Sequence, residues 1–187
     1  GFRDAAIVKD SVYKYSDKAV GIKIDLYEGP KYYFGNVSWV GNAKYSTEYL
    51  ERVFGIEKGE IFSEEKLEKK LRGSANGDDV SSVYLNDGYL TFNIDPVQTK
   101  IYGDTVDVEM RIYEGPQYTN NKISIVGNTI TNDKVVLREI RTKPGDVFSR
   151  SDIQRTMRDL GALGLFDPEQ LGVNPKPNPE DGSVDID

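Results

Sequence analysis

The sequence predicts an α+β protein made of tandem β-α-α-β-β units. Two observations carry this prediction. A long segment of the chain repeats at a constant offset, and within each copy the apolar residues change from the alternation typical of strands to the three- and four-residue spacing of helices. The copies are separated at Glu-Gly-Pro sequences, where proline interrupts a strand because it has no backbone N–H to donate.

Three motifs make the repeat visible. Leu26-Tyr27-Glu28-Gly29-Pro30 is matched 86 positions later by residues 112–116. The same offset relates Val40-Gly41-Asn42 to 126–128, and Gly59–Ser63 to 145–149. We therefore divide the chain into the first segment (1–30), the middle repeat (31–116) and the third repeat (117–187). We expect the first segment to be the closing hairpin of a truncated unit, the middle repeat to be complete, and the third repeat to be truncated at its C-terminal end.

The first half of the middle repeat reads as one strand and two helices. The strand lies around Phe34–Trp39 and ends at the turn residues Gly41-Asn42. Ser46 and Thr47 offer a cap for the first helix, and Ser63 can cap the second, because each precedes apolar residues at helical spacing.

The second half of the middle repeat reads as an insertion followed by two strands. The polar stretch 73–82 has no counterpart in the third repeat, and we expect an inserted loop there. Tyr89–Ile94 alternates and is expected to be a strand that stops at Pro96. Val106–Ile112 alternates apolar with charged residues and is expected to close the sheet.

The third repeat follows the same order. Ile123 and Ile125 indicate its first strand, and apolar residues at 136–140 indicate its first helix. Ser149 and Asp152 form a capping-box pattern before a second helix.

The composition excludes several classes of site. The chain carries 24 Lys and Arg against 31 Asp and Glu, a net charge of −7, and it has neither Cys nor His. It therefore cannot form a zinc finger, an iron–sulfur cluster, a thiol nucleophile or a Ser-His-Asp triad. An acidic chain lacks the basic surface that binds nucleic acids. No apolar run approaches the roughly 20 residues of a membrane-spanning helix. We expect neither a cofactor nor a metal.

Paired carboxylates are the remaining catalytic candidates, at Glu64-Glu65, Asp78-Asp79, and Asp107 with Glu109. A glycosidase needs two carboxylates facing each other across a cleft, one of them with a raised pKa. These pairs instead fall in a first helical turn, a loop and an outward strand face, and Asn76–Asp79 lacks the alternating ligands of an EF-hand. We therefore expect no enzyme.

The 12 tyrosines suggest an alternative of another class, a ligand- or carbohydrate-binding surface module. Several tyrosines lie on or beside predicted strands, where Tyr is a good strand former, and Trp39 is the only tryptophan. A structural role is the better interpretation, and titration with glycans would decide between the two.

The unit order, the Val-Gly-Asn after the first strand, the Gly-x-x-Phe-Ser before the second helix and the closing Glu-Gly-Pro resemble POTRA domains. The third repeat adds Gly145–Ile153, Leu163–Pro168 and Asn174–Pro177, and in these it is similar to the last, barrel-proximal POTRA domain of the BamA family of outer-membrane β-barrel assembly factors. The resemblance covers essentially the whole chain, which would correspond to about the third, partial, to the fifth domain. It implies three-stranded mixed sheets, each covered on one face by two helices, in which the closing strand pairs with the first strand.

The resemblance also implies a function. This would be the periplasmic receptor and scaffold region of an outer-membrane protein assembly machine, close to the membrane surface. It would bind unfolded β-barrel clients and accessory lipoproteins, and it would deliver the clients to a transmembrane barrel that follows in the same chain. The alternative within the superfamily is the POTRA region of a two-partner-secretion or translocation pore.

A central closing strand leaves the strand before it at the sheet edge. The unpaired N–H and C=O groups of such an edge can bind an extended client. In the first segment this strand is 5–15, which is long and has no proline; in the middle repeat it is 89–95. The candidate client-binding residues on these strands are Ala5, Ile7, Lys9, Ser11, Tyr13, Tyr89, Thr91 and Asn93.

The predicted helices of the third repeat concentrate positive charge. From Lys134 to Arg158 the chain holds seven basic residues against three acidic ones. In an acidic protein such a surface can bind an acidic partner or anionic headgroups, although an ordinary solvated helix face is the alternative. The candidate residues are Lys134, Arg138, Arg141, Arg150, Arg155 and Arg158.

Little chain separates each Glu-Gly-Pro from the next strand. We therefore expect semi-rigid joints with limited hinge motion between the repeats.

Overall fold

The computed structural model describes residues 2, 4–74, 76–128, 132–167 and 171–187. Along this part of the chain, groups of strands are followed by groups of helices. In order, they are β1 (Ala6–Ser16), β2 (Ala19–Tyr27), β3 (Tyr33–Val40), α1 (Thr47–Phe54), α2 (Glu64–Arg72), α3 (Val80–Asn86), β4 (Asn93–Tyr102), β5 (Thr105–Tyr113), β6 (Thr119–Ile123), α4 (Asp133–Glu139), α5 (Arg150–Ala162), β7 (Pro175–Asn178) and β8 (Ser183–Ile186).

The strands form three sheets, one each in the first segment, the middle repeat and the third repeat. β1 and β2 form a hairpin, the middle repeat has the strand order β3-β5-β4, and the third repeat has the order β6-β8-β7. β8 runs parallel to β6 and antiparallel to β7. The closing strand is therefore central, and the predicted α+β fold with mixed three-stranded sheets is confirmed.

The chain packs as two compact bodies. The first comprises Gly1–Ser38, Ile56–Leu67 and Pro96–Met110, and the second comprises Trp39–Gly55, Glu68–Asp95 and Arg111–Asp187. In the first body, the rings of Phe34 and Phe62 pack with their centroids 4.8 Å apart. In the second body, Trp39 and Phe54 pack edge to face at 5.7 Å, and a further core cluster consists of Tyr118, Phe148, Val184 and Ile186.

The middle and third repeats contain equivalent backbone hydrogen bonds as well as matching sequence motifs. The Phe34 N–H donates to the Glu60 carbonyl at 2.8 Å, and 86 positions later the Asn120 N–H donates to the Asp146 carbonyl, also at 2.8 Å. The residue that follows each of these carbonyls bridges to the start of the first strand, through Tyr33 with Ile61 and Thr119 with Val147. The Gly-x-x-Phe-Ser motif therefore joins the start of the second helix to the first strand in both repeats.

Serine side chains cap the helices as the sequence predicts. The Ser46 hydroxyl accepts the Tyr49 N–H at the start of α1, and the Ser149 hydroxyl accepts the Asp152 N–H at the start of α5. At α2 the Ser63 hydroxyl accepts the Lys66 N–H at 3.3 Å. Each hydroxyl satisfies a first-turn amide that has no partner within its helix.

The prediction of an inserted loop at 73–82 is wrong at its C-terminal end, where α3 begins. The Asp79 carboxylate caps this helix by accepting the Ser82 N–H at 2.8 Å. Val80 and Tyr84 are completely buried, so tertiary packing stabilises a helix that begins inside the polar stretch. The middle repeat therefore has the order β-α-α-α-β-β.

The prediction for the next strand is also wrong. β4 begins at Asn93 and contains Pro96, and the residues before it form turns. These turns start at Gly88, whose φ is +82°, and the Leu90 N–H donates back to the Gly88 carbonyl at 2.9 Å. β4 tolerates proline because it is an edge strand, where a residue can turn its nitrogen away from its single neighbour.

Candidate functional site: strand edges and a basic helix pair

The β1–β2 hairpin offers both a free edge and an apolar face. Ile7 lies opposite Leu26 and Val12 lies opposite Ile22, so these four side chains share one face of the hairpin. That face is open to solvent, since Ile7 is 61% and Ile22 is 67% exposed. Within the described residues each strand of the hairpin has one neighbour, and its other edge is unpaired. An extended chain can add to this edge.

The structure places most of the first candidate set on this edge. Ile7, Lys9, Ser11 and Tyr13 lie in β1, and Ala5 lies one residue before it. The ring of Tyr13 crosses to its partner Gly21, where a Cβ would lie 2.6 Å from the ring carbon Cζ. Gly21 therefore lets the aromatic ring lie flat across the hairpin.

The second candidate set is placed differently. Asn93 is the first residue of β4, but Tyr89 and Thr91 lie in the turns before it, so their prediction as edge-strand residues is wrong. The Tyr89 ring instead packs edge to face on Tyr84 at 5.8 Å. The Lys44 ammonium lies 5.8 Å from the centroid of the same ring. Tyr84 also packs edge to face on Tyr45 at 5.0 Å, so Tyr89 belongs to an aromatic cluster of Tyr45, Tyr84 and Tyr89 and does not lie in an edge strand.

The polar groups around the aromatic cluster satisfy one another. The Tyr45 hydroxyl donates to the Asp87 carboxylate at 2.9 Å, and the Lys44 ammonium lies 3.1 Å from that carboxylate. Burial, and then the hydrogen bond to Asp87, raise the pKa of the Tyr45 hydroxyl. A protonated phenol that already donates to a carboxylate is a structural group, and it is not poised to act as a base.

Residues 86–90 connect the middle repeat to the third repeat. The Asn86 side-chain oxygen accepts the Ser151 N–H at 2.8 Å and so caps the first turn of α5. The Gly88 carbonyl accepts the Tyr118 N–H at 2.8 Å. Leu90 packs on the core cluster that contains Tyr118. This joint lies within the second compact body and is built from side-chain, backbone and apolar contacts together.

The basic helix pair consists of α4, α5 and the turn between them. Carboxylates form ion pairs with three of its six predicted basic residues. These ion pairs are Arg138 with Glu139 at 2.9 Å, Arg141 with Asp159 at 3.0 Å, and Arg155 with Asp152 at 3.9 Å. Asp159 is an acidic partner that counting charges from 134 to 158 leaves out.

The other expected basic residues keep their charge available. Lys134, Arg150 and Arg158 are exposed, and the described residues give them no ion pair. Among the six candidates, these three are therefore the ones that can bind an external anion without first breaking an internal pair.

A cavity of about 460 Å³ opens in the third repeat, and sequence reasoning did not anticipate it. Its lining is mainly apolar and includes Ile125, Ile140, Met157, Leu165 and Phe166. The cavity also reaches Ile186 and Asp187 at the end of β8.

Among the residues that the structure describes, no group of three or more acidic side chains is close enough together to hold a metal ion. None of the helices in the described ranges has the length and apolar character to cross a membrane.

Comparison with known proteins places this architecture in a family. The family model for POTRA, described as a surface antigen variable number repeat, matches residues 32–115 and 118–187. The chain is 28% identical over 180 residues to the outer membrane protein assembly factor BamA of Neisseria meningitidis serogroup B, covering 94% of this chain and 22% of that protein. It is 25% identical over 188 residues to BamA of Nitratidesulfovibrio vulgaris, covering 100% of this chain and 23% of that protein. The chain thus spans about a fifth of the length of these relatives.

A solved structure shows the same fold. The crystal structure of POTRA domains 3–5 of BamA from Haemophilus influenzae superposes with a TM-score of 0.73 at 20% identity, covering 100% of this chain and 72% of that one. The mixed sheets with a central closing strand, the shared repeat motifs and the two family-model matches lead to one conclusion. The chain belongs to the POTRA family.

Proposed function

We propose that this chain is the periplasmic binding scaffold of an outer-membrane protein assembly machine. It would hold unfolded outer-membrane β-barrel proteins in extended form and deliver them to a membrane-embedded part of the same protein. Membership of the POTRA family and similarity to proteins named outer membrane protein assembly factor BamA support this proposal. Family membership also favours binding over catalysis. The proposed domains are a hairpin at 1–30 and POTRA domains at 31–116 and 117–187.

The open edge of β1 is the observation that carries the proposal. β1 has 11 residues and contains no proline, so every residue keeps its backbone N–H. A client strand that adds to β1 would be held by main-chain hydrogen bonds, which do not depend on its side chains. This suits a receptor whose clients share β-structure but differ in sequence.

Ser11→Pro tests this mode of binding. Proline removes one N–H from the middle of β1 and disturbs the ladder around it. We expect at least a tenfold loss of affinity for a soluble ten-residue peptide of alternating valine and threonine, measured by fluorescence anisotropy. Ser11→Val is the matched control, because it changes the side chain and keeps the N–H, and it should bind as the unmodified chain does.

The interpretation requires that the remainder of the chain stays folded. Circular dichroism and the amide NMR signals of the middle and third repeats provide that check. Equal peptide affinity of the unmodified chain and a folded Ser11→Pro chain would refute binding at the β1 edge. A loss of affinity in Ser11→Val as large as that in Ser11→Pro would show recognition by side chains instead.

We also propose that the basic helix pair binds anionic headgroups or acidic accessory lipoproteins of the assembly machine. Lys134→Glu with Arg158→Glu should weaken binding to vesicles of phosphatidylcholine and phosphatidylglycerol by about tenfold or more at low salt, since each basic residue near such a surface contributes roughly 1 kcal/mol. Stability should change little, because exposed charges contribute only about 0–1 kcal/mol. Co-sedimentation with the vesicles measures the effect.

Lys9→Glu with Lys18→Glu is the control for net charge. Both lysines are exposed and lie in the hairpin, so this variant changes the charge of the chain by the same amount at another place. Vesicle binding that falls equally in both variants would indicate a general charge effect and would contradict a localised basic surface.

A further inference from the structure

The outer edge of β7 differs chemically from the edge of β1. β7 is the end strand of the third sheet, and among the described residues β8 is its single neighbour. It has only four residues, and two of them are prolines, with Pro175 opposite Ile186 and Pro177 opposite Val184.

The hydrogen bonds next to these pairs show which way each proline nitrogen points. The Asn174 N–H donates to the Asp187 carbonyl at 2.9 Å, and the Asp187 N–H donates back to the Asn174 carbonyl at 3.4 Å. In an antiparallel ladder such doubly bonded pairs alternate with pairs whose backbone groups point away from the partner strand. Positions 174, 176 and 178 therefore face β8, and the nitrogens of Pro175 and Pro177 point to the open side.

Proline nitrogen carries no hydrogen. At both outward-facing positions, β7 therefore presents a carbonyl oxygen and no donor. A strand added there would keep the bonds that it donates to these carbonyls but would leave its own carbonyls without partners. Leaving such polar groups unpaired in a forming sheet is unfavourable. The β7 edge can therefore accept hydrogen bonds from an added strand but cannot donate any in return at these two positions.

A charged side chain adds to this effect. Lys176 lies between the two prolines and forms an ion pair with Asp187. Lysine and proline are both residues with which sheet proteins protect exposed edges. β1, by contrast, has 11 residues without proline, and its outward-facing residues all carry donors.

We infer that Pro175 and Pro177 close the β7 edge of the third sheet to strand addition, so that an extended partner adds to β1 rather than to β7. The inference rests on the proposed function, because it specifies which edge an extended partner strand uses. The two prolines are specificity-determining residues, because they remove the backbone N–H donors that an added strand would need at this edge.

Pro175→Thr with Pro177→Thr in the whole 187-residue chain tests the inference. The probe is the alternating valine–threonine peptide carrying a nitroxide at one end, and the readout is paramagnetic broadening of the amide signals of Lys9 in β1 and Asn178 in β7. In the unmodified chain we expect broadening at Lys9 and none at Asn178. In the double variant Asn178 should broaden as well, with at least tenfold tighter binding at this edge.

Lys176→Thr, with both prolines kept, separates the donor effect from the charge effect. We expect no broadening at Asn178 in this control. Broadening there in the control or in the unmodified chain would overturn the inference, because an edge with its prolines would then accept a strand. A folded double variant that still shows no broadening at Asn178 would overturn it too.

The same experiment keeps the two proposals distinguishable. Absence of broadening at Lys9 in every chain would contradict the proposed client edge. A gain at Asn178 in the double variant would, in that case, still support the role of the prolines.

Discussion

Glu114 connects the closing motif of the middle repeat to two other places in the second compact body. Its Oε1 accepts the Lys44 backbone N–H at 2.9 Å and the Tyr84 hydroxyl at 3.0 Å. Tyr84 is completely buried, and burial, followed by the hydrogen bond to Glu114, raises the pKa of its hydroxyl. The glutamate of this Glu-Gly-Pro sequence therefore satisfies a buried donor and fixes the loop that follows Val40-Gly41-Asn42.

Replacing Glu114 by alanine should lower the free energy of unfolding by about 1–3 kcal/mol. The reason is that the buried hydroxyl of Tyr84 then lacks an acceptor, which costs more than the net value of an ordinary hydrogen bond. Chemical denaturation followed by circular dichroism measures the change. Glu28→Ala is the matched control, because Glu28 occupies the same place in the first Glu-Gly-Pro and is exposed. Equal stability of the Glu114 variant and the unmodified chain would contradict a structural role for this carboxylate.

The equivalence of the repeats predicts backbone positions better than it predicts side-chain environments. Phe34 and Asn120 stand 86 positions apart, make the same backbone hydrogen bond and are both buried. Phe34 packs against another ring, whereas the side-chain oxygen of Asn120 is buried with no hydrogen-bond partner among the described residues. A motif offset carries no information about which side chains surround a position, so it cannot reveal this difference.

The turn after α3 gives the joint between the middle and third repeats its close fit. A Cβ on Gly88 would lie 2.7 Å from Cγ1 of Val147 and 2.8 Å from the carbonyl oxygen of Tyr118. The φ of Gly88 is +82°, which is unfavourable for other residues. Gly88→Ala should therefore both strain the backbone and push the third repeat away, with a loss of about 1–3 kcal/mol in stability.

A matched control separates these two effects. Gly127 has a φ of +83°, and a Cβ there would meet nothing within 4 Å, so Gly127→Ala reports backbone strain alone. Residual dipolar couplings of the two repeats should change their relative alignment in Gly88→Ala and leave it unchanged in Gly127→Ala. The same alignment in all three chains would contradict a joint that depends on the close approach of Gly88.

At the level of elements, local signals predicted what local chemistry determines. Ser46 and Ser149 cap their helices as expected because a cap is formed by residues adjacent in sequence. α3 could not be predicted in this way, since it begins inside the polar stretch 73–82 and the burial of Tyr84 depends on distant parts of the chain. The alternation of Leu90, Phe92 and Ile94 was misleading for a similar reason. Hydrogen-bonded turns take up residues 88–92, and the strand starts only at Asn93.

At the scale of the whole molecule, the two candidate surfaces differ in how far the sequence could predict them. The β1 edge follows from an alternating, proline-free run and was placed within one residue. The basic helix pair was identified by counting charges, but the pairing of Arg141 with Asp159 across 18 positions joins residues that only the fold brings together. Charge counts can therefore locate such a surface without showing how much of its charge is free.

The contacts of Asn86, Gly88 and Leu90 also have a thermodynamic consequence. In tandem-repeat proteins, total stability is the sum of the stability of each repeat and the free energy of each interface between neighbours. Asn86 lies in the middle repeat yet satisfies an amide of α5, so melting of the third repeat would leave this part of the middle repeat with fewer partners. The two repeats therefore share part of their unfolding transition. A ligand that binds only the folded third repeat protects α3 against local opening as well, by mass action alone.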